Sequence, residues 1–106
     1  MEKFPKKRVF ITGAASGFGK ALAIEFARDG WKVAVSDIDE QGLAETVAAA
    51  NNSGGEGSGF RCDVTKPEDL DAAAEQLKDT WGGVDIIINN AGIAGGGKME
   101  EISLEK

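Results

Sequence analysis

The stretch RVFITGAASGFGKALAIEF, Arg8 to Phe26, sets three glycines between an apolar run and a second apolar run of different period. Val9, Phe10 and Ile11 are continuous, as in a parallel strand covered on both faces. From Gly17 the pattern turns helical: Leu22 and Phe26 lie four apart with Ala23 and Ala27 beside them, and Gly30 is the stop signal. A loop leading from a strand into a helix N-terminus presents unpaired backbone N–H groups and the positive end of the helix dipole, and both favour a phosphate. In such a loop Gly13 permits the tight turn, Gly17 permits close approach at the helix start, and Gly19 lets the helix pack against the strands. A P-loop requires glycine at 14 and Ser or Thr at 21, where this chain has Ala14 and Ala21, and the common G-x-G-x-x-G spacing is absent as well.

Outward from that turn the periods keep alternating. Lys32 to Asp37, KVAVSD, reads as a second strand, and Asp39 is placed to cap a helix whose stripe is Leu43, Val47 and Ala50. Asn51 to Gly59, NNSGGEGSG, reads as a solvated connector, and Phe60 to Val64 as a short third strand. Thr65 to Glu68 has the form of a capping box with Pro67 in the first turn. The helix that follows carries Leu70, Ala74, Leu77 and Trp81, and Gly82 and Gly83 end it before a fourth strand, Val84 to Asn89. Strands returned by helices of this length are parallel, so the class is α/β and doubly wound. Ligands of that architecture lie beyond the carboxyl ends of the strands. Those ends are Thr12 to Gly19, Asp37, Asp63 with Val64, and Asn89 to Gly92.

Composition bounds the rest. The 106 residues, Met1 to Lys106, make one domain. A formal charge of −6 gives no net basic face for nucleic acid or an anionic membrane. Cys62 is the only cysteine and there is no histidine, so neither an intrachain disulfide nor a structural zinc cluster is expected. With no leader-like apolar segment at the start, the expected location is the cytoplasm. Trp31, Trp81 and Cys62 read as packing residues.

Taken together, TGAASGFG at Thr12 to Gly19, Asp37, Asp63-Val64 and NNAG at Asn89 to Gly92 resemble the classical short-chain dehydrogenase/reductase family, in order and in spacing, from Lys7 onward. The resemblance implies a Rossmann-like parallel sheet, incomplete at four strands and three helices, in the order 3-2-1-4. It implies that Gly13, Ser16, Gly17, Phe18 and Gly19 surround a pyrophosphate and the adjacent ribose. Asp63 and Val64 would flank the adenine, Asn90, Ala91 and Gly92 would line the ribose side, and Asn89 would steady the sheet. Phe18 departs mildly from the aliphatic residue usual there.

Asp37, 24 residues after Gly13, stands close to the offset at which an acid accepts hydrogen bonds from an adenosine ribose. A 2′-phosphate about 4 Å from that carboxylate would cost roughly 4 kcal/mol at an effective dielectric near 20, about a thousandfold. The positions where NADP-preferring members carry a basic residue hold Ser16 and Ile38. NAD is therefore the expected cofactor and NADP the disfavoured one.

The resemblance also implies a homo-oligomeric parent enzyme moving hydride between NAD(H) and a small alcohol or carbonyl substrate. Its catalytic tyrosine and lysine have no counterpart here, since the chain contains no tyrosine. The competing reading is a non-catalytic dinucleotide-binding or scaffold module. Ser103 to Lys106 reads as the N-cap and first turn of a helix, which favours the amino-terminal portion of a longer enzyme. Ile86, Ile87 and Ile88 would then form an apolar open edge prone to self-association. The glycine-rich stretch from Ile93 to Lys98 reads as a flexible loop.

Overall fold

The computed structural model describes residues 4–63, 65–90 and 100–103, the last for backbone alone. In chain order these form β1 (Arg8–Thr12), α1 (Gly17–Arg28), β2 (Lys32–Asp37), α2 (Glu40–Asn52), β3 (Glu56–Arg61), α3 (Pro67–Trp81), β4 (Ile86–Asn89) and β5 (Glu100–Ser103). The sheet runs β3-β2-β1-β4-β5, with the first four strands mutually parallel. This is the doubly wound Rossmann arrangement. The chain moves outward from β1 to β3, then crosses back to place β4 on the other side of β1. The crevice at that reversal lies beyond the carboxyl ends of β1 and β4.

The two faces are separate cores. On one, Val9, Ile11, Val33, Val35, Ile86 and Ile88 pack under α1 and α2 through Ala23, Ala27, Leu43 and Ala50. On the other, Phe10, Ala34, Cys62 and Val84 pack against Ala73 and Leu77 of α3. Consecutive residues of one strand point to opposite faces, so the unbroken apolar runs in β1, β2 and β4 are what a sheet covered on both sides requires. Trp31 closes the end of the first core, 4.8 Å between ring centroids from Phe26, with its Nε1 donating to Asp29. Among the described residues no helix is long and apolar enough to cross a membrane.

The region after α2 departs from expectation. Asn51 and Asn52 complete α2, and the third strand starts at Glu56, not Phe60. Gly57 and Gly59 are part of the sheet because α2 lies directly on β3. A Cβ on Gly57 would stand 2.9 Å from the Val47 carbonyl oxygen of α2. Gly55 lies just before the strand, where a Cβ would meet the Trp31 carbonyl oxygen at 2.6 Å and Ala27 of α1 at 2.7 Å. The strand omits side chains where a helix backbone takes their place.

Three smaller corrections concern α3 and β4. Lys66, not Thr65, is the N-cap of α3, and no side chain caps it; the Thr65 hydroxyl donates instead to Asp63 Oδ1 at 2.6 Å. Pro67 does stand in the first turn, and Gly82, at φ +83°, closes the helix as expected. The buried stripe of α3 runs through Ala73 and not Ala74, which is exposed. Val84 and Asp85 precede β4, which begins at Ile86; Asp85 is held to Arg8 at the start of β1, its N–H donating to the Arg8 carbonyl and its carboxylate accepting from Arg8.

The edge of β4 is also covered. β5 pairs with it antiparallel, Ile86 opposite Ser103 and Asn89 opposite Glu100, so the sheet has five strands and Ser103 is a strand residue, not a helix cap. A row of free N–H and C=O groups on an apolar strand is a template for pairing, and here the chain's own next segment occupies it. Leu104 to Lys106 lie outside the described residues, as do Val64, Ala91, Gly92 and the Ile93 to Lys98 stretch.

Candidate functional site

The glycine turn joins β1 to α1 beside the topological switch. Gly13 and Gly17 adopt left-handed backbone, φ +67° and +63°, which only glycine takes without strain. A Cβ on Gly17 would meet nothing within 4 Å, so the turn opens outward there. Gly19 faces inward: a Cβ would run into the Gly13 carbonyl oxygen and lie 2.8 Å from Asn90 Nδ2. The three glycines thus serve two backbone reversals and one close approach.

Several polar groups behind the turn are tied down. Ala14 N–H donates to the Ser36 carbonyl, and Ala15 N–H to Asp37 Oδ2 at 2.9 Å. Ala14 O accepts from the Thr46 hydroxyl at 2.7 Å, and Gly13 O from Asn90 Nδ2 at 3.0 Å. Thr12 connects the strands: its hydroxyl donates to Asn89 Oδ1 at 2.9 Å and accepts from Asn90 N–H at 3.0 Å. Asn89 therefore steadies the sheet as expected, and Asn90 holds the turn.

The front of the turn is left open. Ser16 is the N-cap of α1, yet its side chain makes no cap hydrogen bond, and the first turn of α1 carries no acid. In contrast α2 is capped by Asp39 and has Glu40 in its first turn, and α3 has Glu68 and Asp69. The N–H groups at the start of any helix lack intrahelical partners, and at α1 neither a carboxylate nor a hydroxyl stands in their way. That end of the helix has the electrostatics of an anion site.

Asp37 ends β2 beside this opening. Its Oδ2 holds Ala15 N–H and its Oδ1 accepts from Asp39 N–H at 3.0 Å. A carboxylate has about four lone-pair directions, so acceptor capacity is left for a ligand hydroxyl. Ile38 and Phe18 are 55% and 59% exposed, the large apolar side chains left in solvent among the described residues, and both lie at the carboxyl end of the sheet. One strand further out, after β3, Asp63 Oδ1 accepts from Thr65 N–H and hydroxyl. The Thr65 hydroxyl, with its backbone N–H, holds the Asp63 carboxyl below the usual carboxylate range. Cys62 is buried, and burial pushes its thiol up, the environment of a packing residue rather than a nucleophile.

Of the positions named from the sequence, Gly13, Ser16, Gly17, Phe18, Gly19, Asp37, Ile38, Asp63 and Asn90 come together around the carboxyl ends of the strands. Val64, Ala91 and Gly92 lie outside the described residues. Thr46 was missed. Its signal was present in the sequence: a hydroxyl on the Leu43, Val47, Ala50 stripe, where an apolar residue is otherwise expected.

The family pattern described as short chain dehydrogenase matches residues 7–106. The chain belongs to the short chain dehydrogenase family. An uncharacterized oxidoreductase of Bacillus subtilis (strain 168), YxbG, is 40% identical over 106 residues, covering 99% of this chain and 39% of its own length. The chain thus spans about two fifths of that relative. A crystal structure of hydroxysteroid dehydrogenase from Escherichia coli superposes with a TM-score of 0.78 at 42% identity, covering 84% of this chain and 38% of the other. A crystal structure of an NADH-dependent reductase complexed with NAD gives 0.73 at 37% identity, over 81% of this chain and 36% of the other.

Proposed function

We propose that this chain is the NAD-binding portion of a dehydrogenase or reductase that transfers a hydride between NAD(H) and a small alcohol or carbonyl compound. The observation that carries the proposal is the open N-terminus of α1, uncapped and free of acids, beside a carboxylate with spare acceptor capacity. The NAD-bound reductase among its structural neighbours supports the same cofactor.

In this reading the N–H groups around Ser16, Gly17, Phe18 and Gly19 hold the pyrophosphate. Asp37 accepts from the adenosine ribose hydroxyls, and Ile38, Asp63 and Val64 border the adenine. Asn90, Ala91 and Gly92 line the side of the crevice nearer the second ribose. Bound there, the nicotinamide supplies the hydride acceptor or donor; the chain's own residues bind and orient it. The groups that move the proton are assigned to the remainder of the parent enzyme, since neither tyrosine nor histidine occurs in these residues. A cytoplasmic, homo-oligomeric parent is part of the same proposal. No observation favours a scaffold role instead.

The test is a fluorescence titration of the chain with NADH and NADPH. Binding of NADH with NADPH weaker by up to about a thousandfold is expected from the charge on Asp37. Equal or tighter binding of NADPH removes the assignment.

A further inference from the structure

Thr46 lies in the middle of α2 with no exposed surface, on a stripe otherwise made of Leu43, Val47 and Ala50. A helical threonine ordinarily satisfies its hydroxyl on the carbonyl one turn back. Thr46 does approach Gly42 O, at 3.1 Å, but its shorter contact, 2.7 Å, is to Ala14 O in the glycine turn, 32 residues upstream. The N–H at the other end of that same peptide unit, Ala15 N, is the donor to Asp37 Oδ2. One peptide is therefore clamped between a buried hydroxyl on its oxygen and the candidate ribose acid on its nitrogen.

A peptide unit is planar, so fixing its carbonyl fixes the direction of its N–H. Hydrogen bonds in series also polarise one another. Gly42 brings the helix close enough for this, because a Cβ there would stand 2.9 Å from both the oxygen and the Cβ of Ala15. Filling the acceptor of a buried carbonyl explains why some donor is present. It does not require that the same peptide hold the carboxylate.

We propose that Thr46 is a positioning residue for Asp37: through the peptide between Ala14 and Ala15 it aims the carboxylate at the 2′-hydroxyl of an adenosine ribose. The inference rests on the dinucleotide reading of the site. It assigns α2 a part in ligand recognition as well as in packing.

The test pairs a protein hydroxyl with a ligand hydroxyl. The chain and its T46V and T46S variants are titrated calorimetrically with ADP and with 2′-deoxy-ADP, and each is melted thermally to show that it is folded. The unaltered chain is expected to bind ADP about tenfold more tightly than 2′-deoxy-ADP, the worth of one hydrogen bond to a charged group. T46S keeps that ratio, and T46V reduces it to about twofold. A folded T46V that retains the full ratio overturns the proposal, as does a T46S that loses it. Should valine prevent folding, T46C, whose thiol is a far weaker donor, is expected to show the reduced ratio, and a full ratio there also overturns it. If the unaltered chain binds no ADP, the reading of the site itself falls; that result is distinct from an unchanged ratio.

Discussion

The side-chain amide of Asn90 reaches across the switch between β1 and β4 to donate to the carbonyl of Gly13 at 3.0 Å, over the Cα of Gly19. A methyl group at 19 would collide with both partners, and the Gly13 side of the collision is backbone that cannot rotate away. Overpacking of this kind costs about 1–3 kcal/mol. Gly19→Ala is expected to lower the free energy of unfolding by that amount, read as a lower urea midpoint, and to abolish detectable ADP binding. A variant with unchanged midpoint and affinity would show that the turn yields freely.

Asp37 gives the second prediction. Asp37→Asn keeps one oxygen acceptor and removes the charge that opposes a 2′-phosphate. Discrimination between NADH and NADPH should fall from up to about a thousandfold to within about tenfold, mostly by a gain for NADPH. Competition of the two nucleotides in a fluorescence titration reads this directly. Loss of NADH affinity with no gain for NADPH would mean that the carboxylate holds the turn and does not face the phosphate position.

Much of this arrangement was legible because the residues concerned have local causes. Glycine at 13 and 17 is demanded by the backbone angles of the turn, and Asp39 caps the helix it immediately precedes. What was not legible depends on partners distant in sequence. Gly57 and Gly59 look like a linker until α2 is laid across them. Thr65 has the spacing of a cap, but the Asp63 carboxylate two residues before it is the acceptor its hydroxyl takes. The hydroxyl of Thr46 stands out on its apolar stripe, but its acceptor, Ala14 O, lies 32 residues away and is not marked in the sequence. The pairing of β4 with β5 was hidden because Glu100 to Ser103 has no apolar alternation to announce a strand.

The contact of α2 with β3 separates two neighbouring glycines. A Cβ on Gly57 would meet the Val47 carbonyl at 2.9 Å, a backbone atom, whereas one on Gly59 would meet Val47 Cγ2 at 3.0 Å, the tip of a side chain. Both substitutions reduce the freedom of the unfolded chain, worth about 0.4–1 kcal/mol in favour of folding. Gly57→Ala is therefore expected to destabilise by about 1–3 kcal/mol and Gly59→Ala to change stability by less than about 1 kcal/mol. Equal losses in thermal or urea unfolding would argue against the close helix approach.

Arg8 and Asp85 supply a pH-dependent anchor. The Asp85 carboxylate accepts from Arg8 Nε at 2.9 Å, Nη2 at 2.8 Å and backbone N–H at 3.0 Å, and Arg8 Nη1 reaches the Trp81 carbonyl at 3.1 Å. The pair thus joins the start of β1, the end of α3 and the approach to β4, with both side chains largely shielded from solvent. Hydrogen bonds from the Arg8 side chain hold the Asp85 carboxyl below its usual range, against the opposing effect of burial. A depressed carboxyl value means that the folded state binds a proton less readily than the unfolded one. The stabilisation is then complete above the unfolded value near 3.9 and is lost as pH falls through the lower folded value. Asp85→Ala, which leaves the guanidinium without its carboxylate, is expected to cost about 2 kcal/mol at pH 7. The difference between variant and unaltered chain should shrink steadily below about pH 4. Urea denaturation of both proteins across that range checks the sign, and a difference that grows in acid would contradict the pairing.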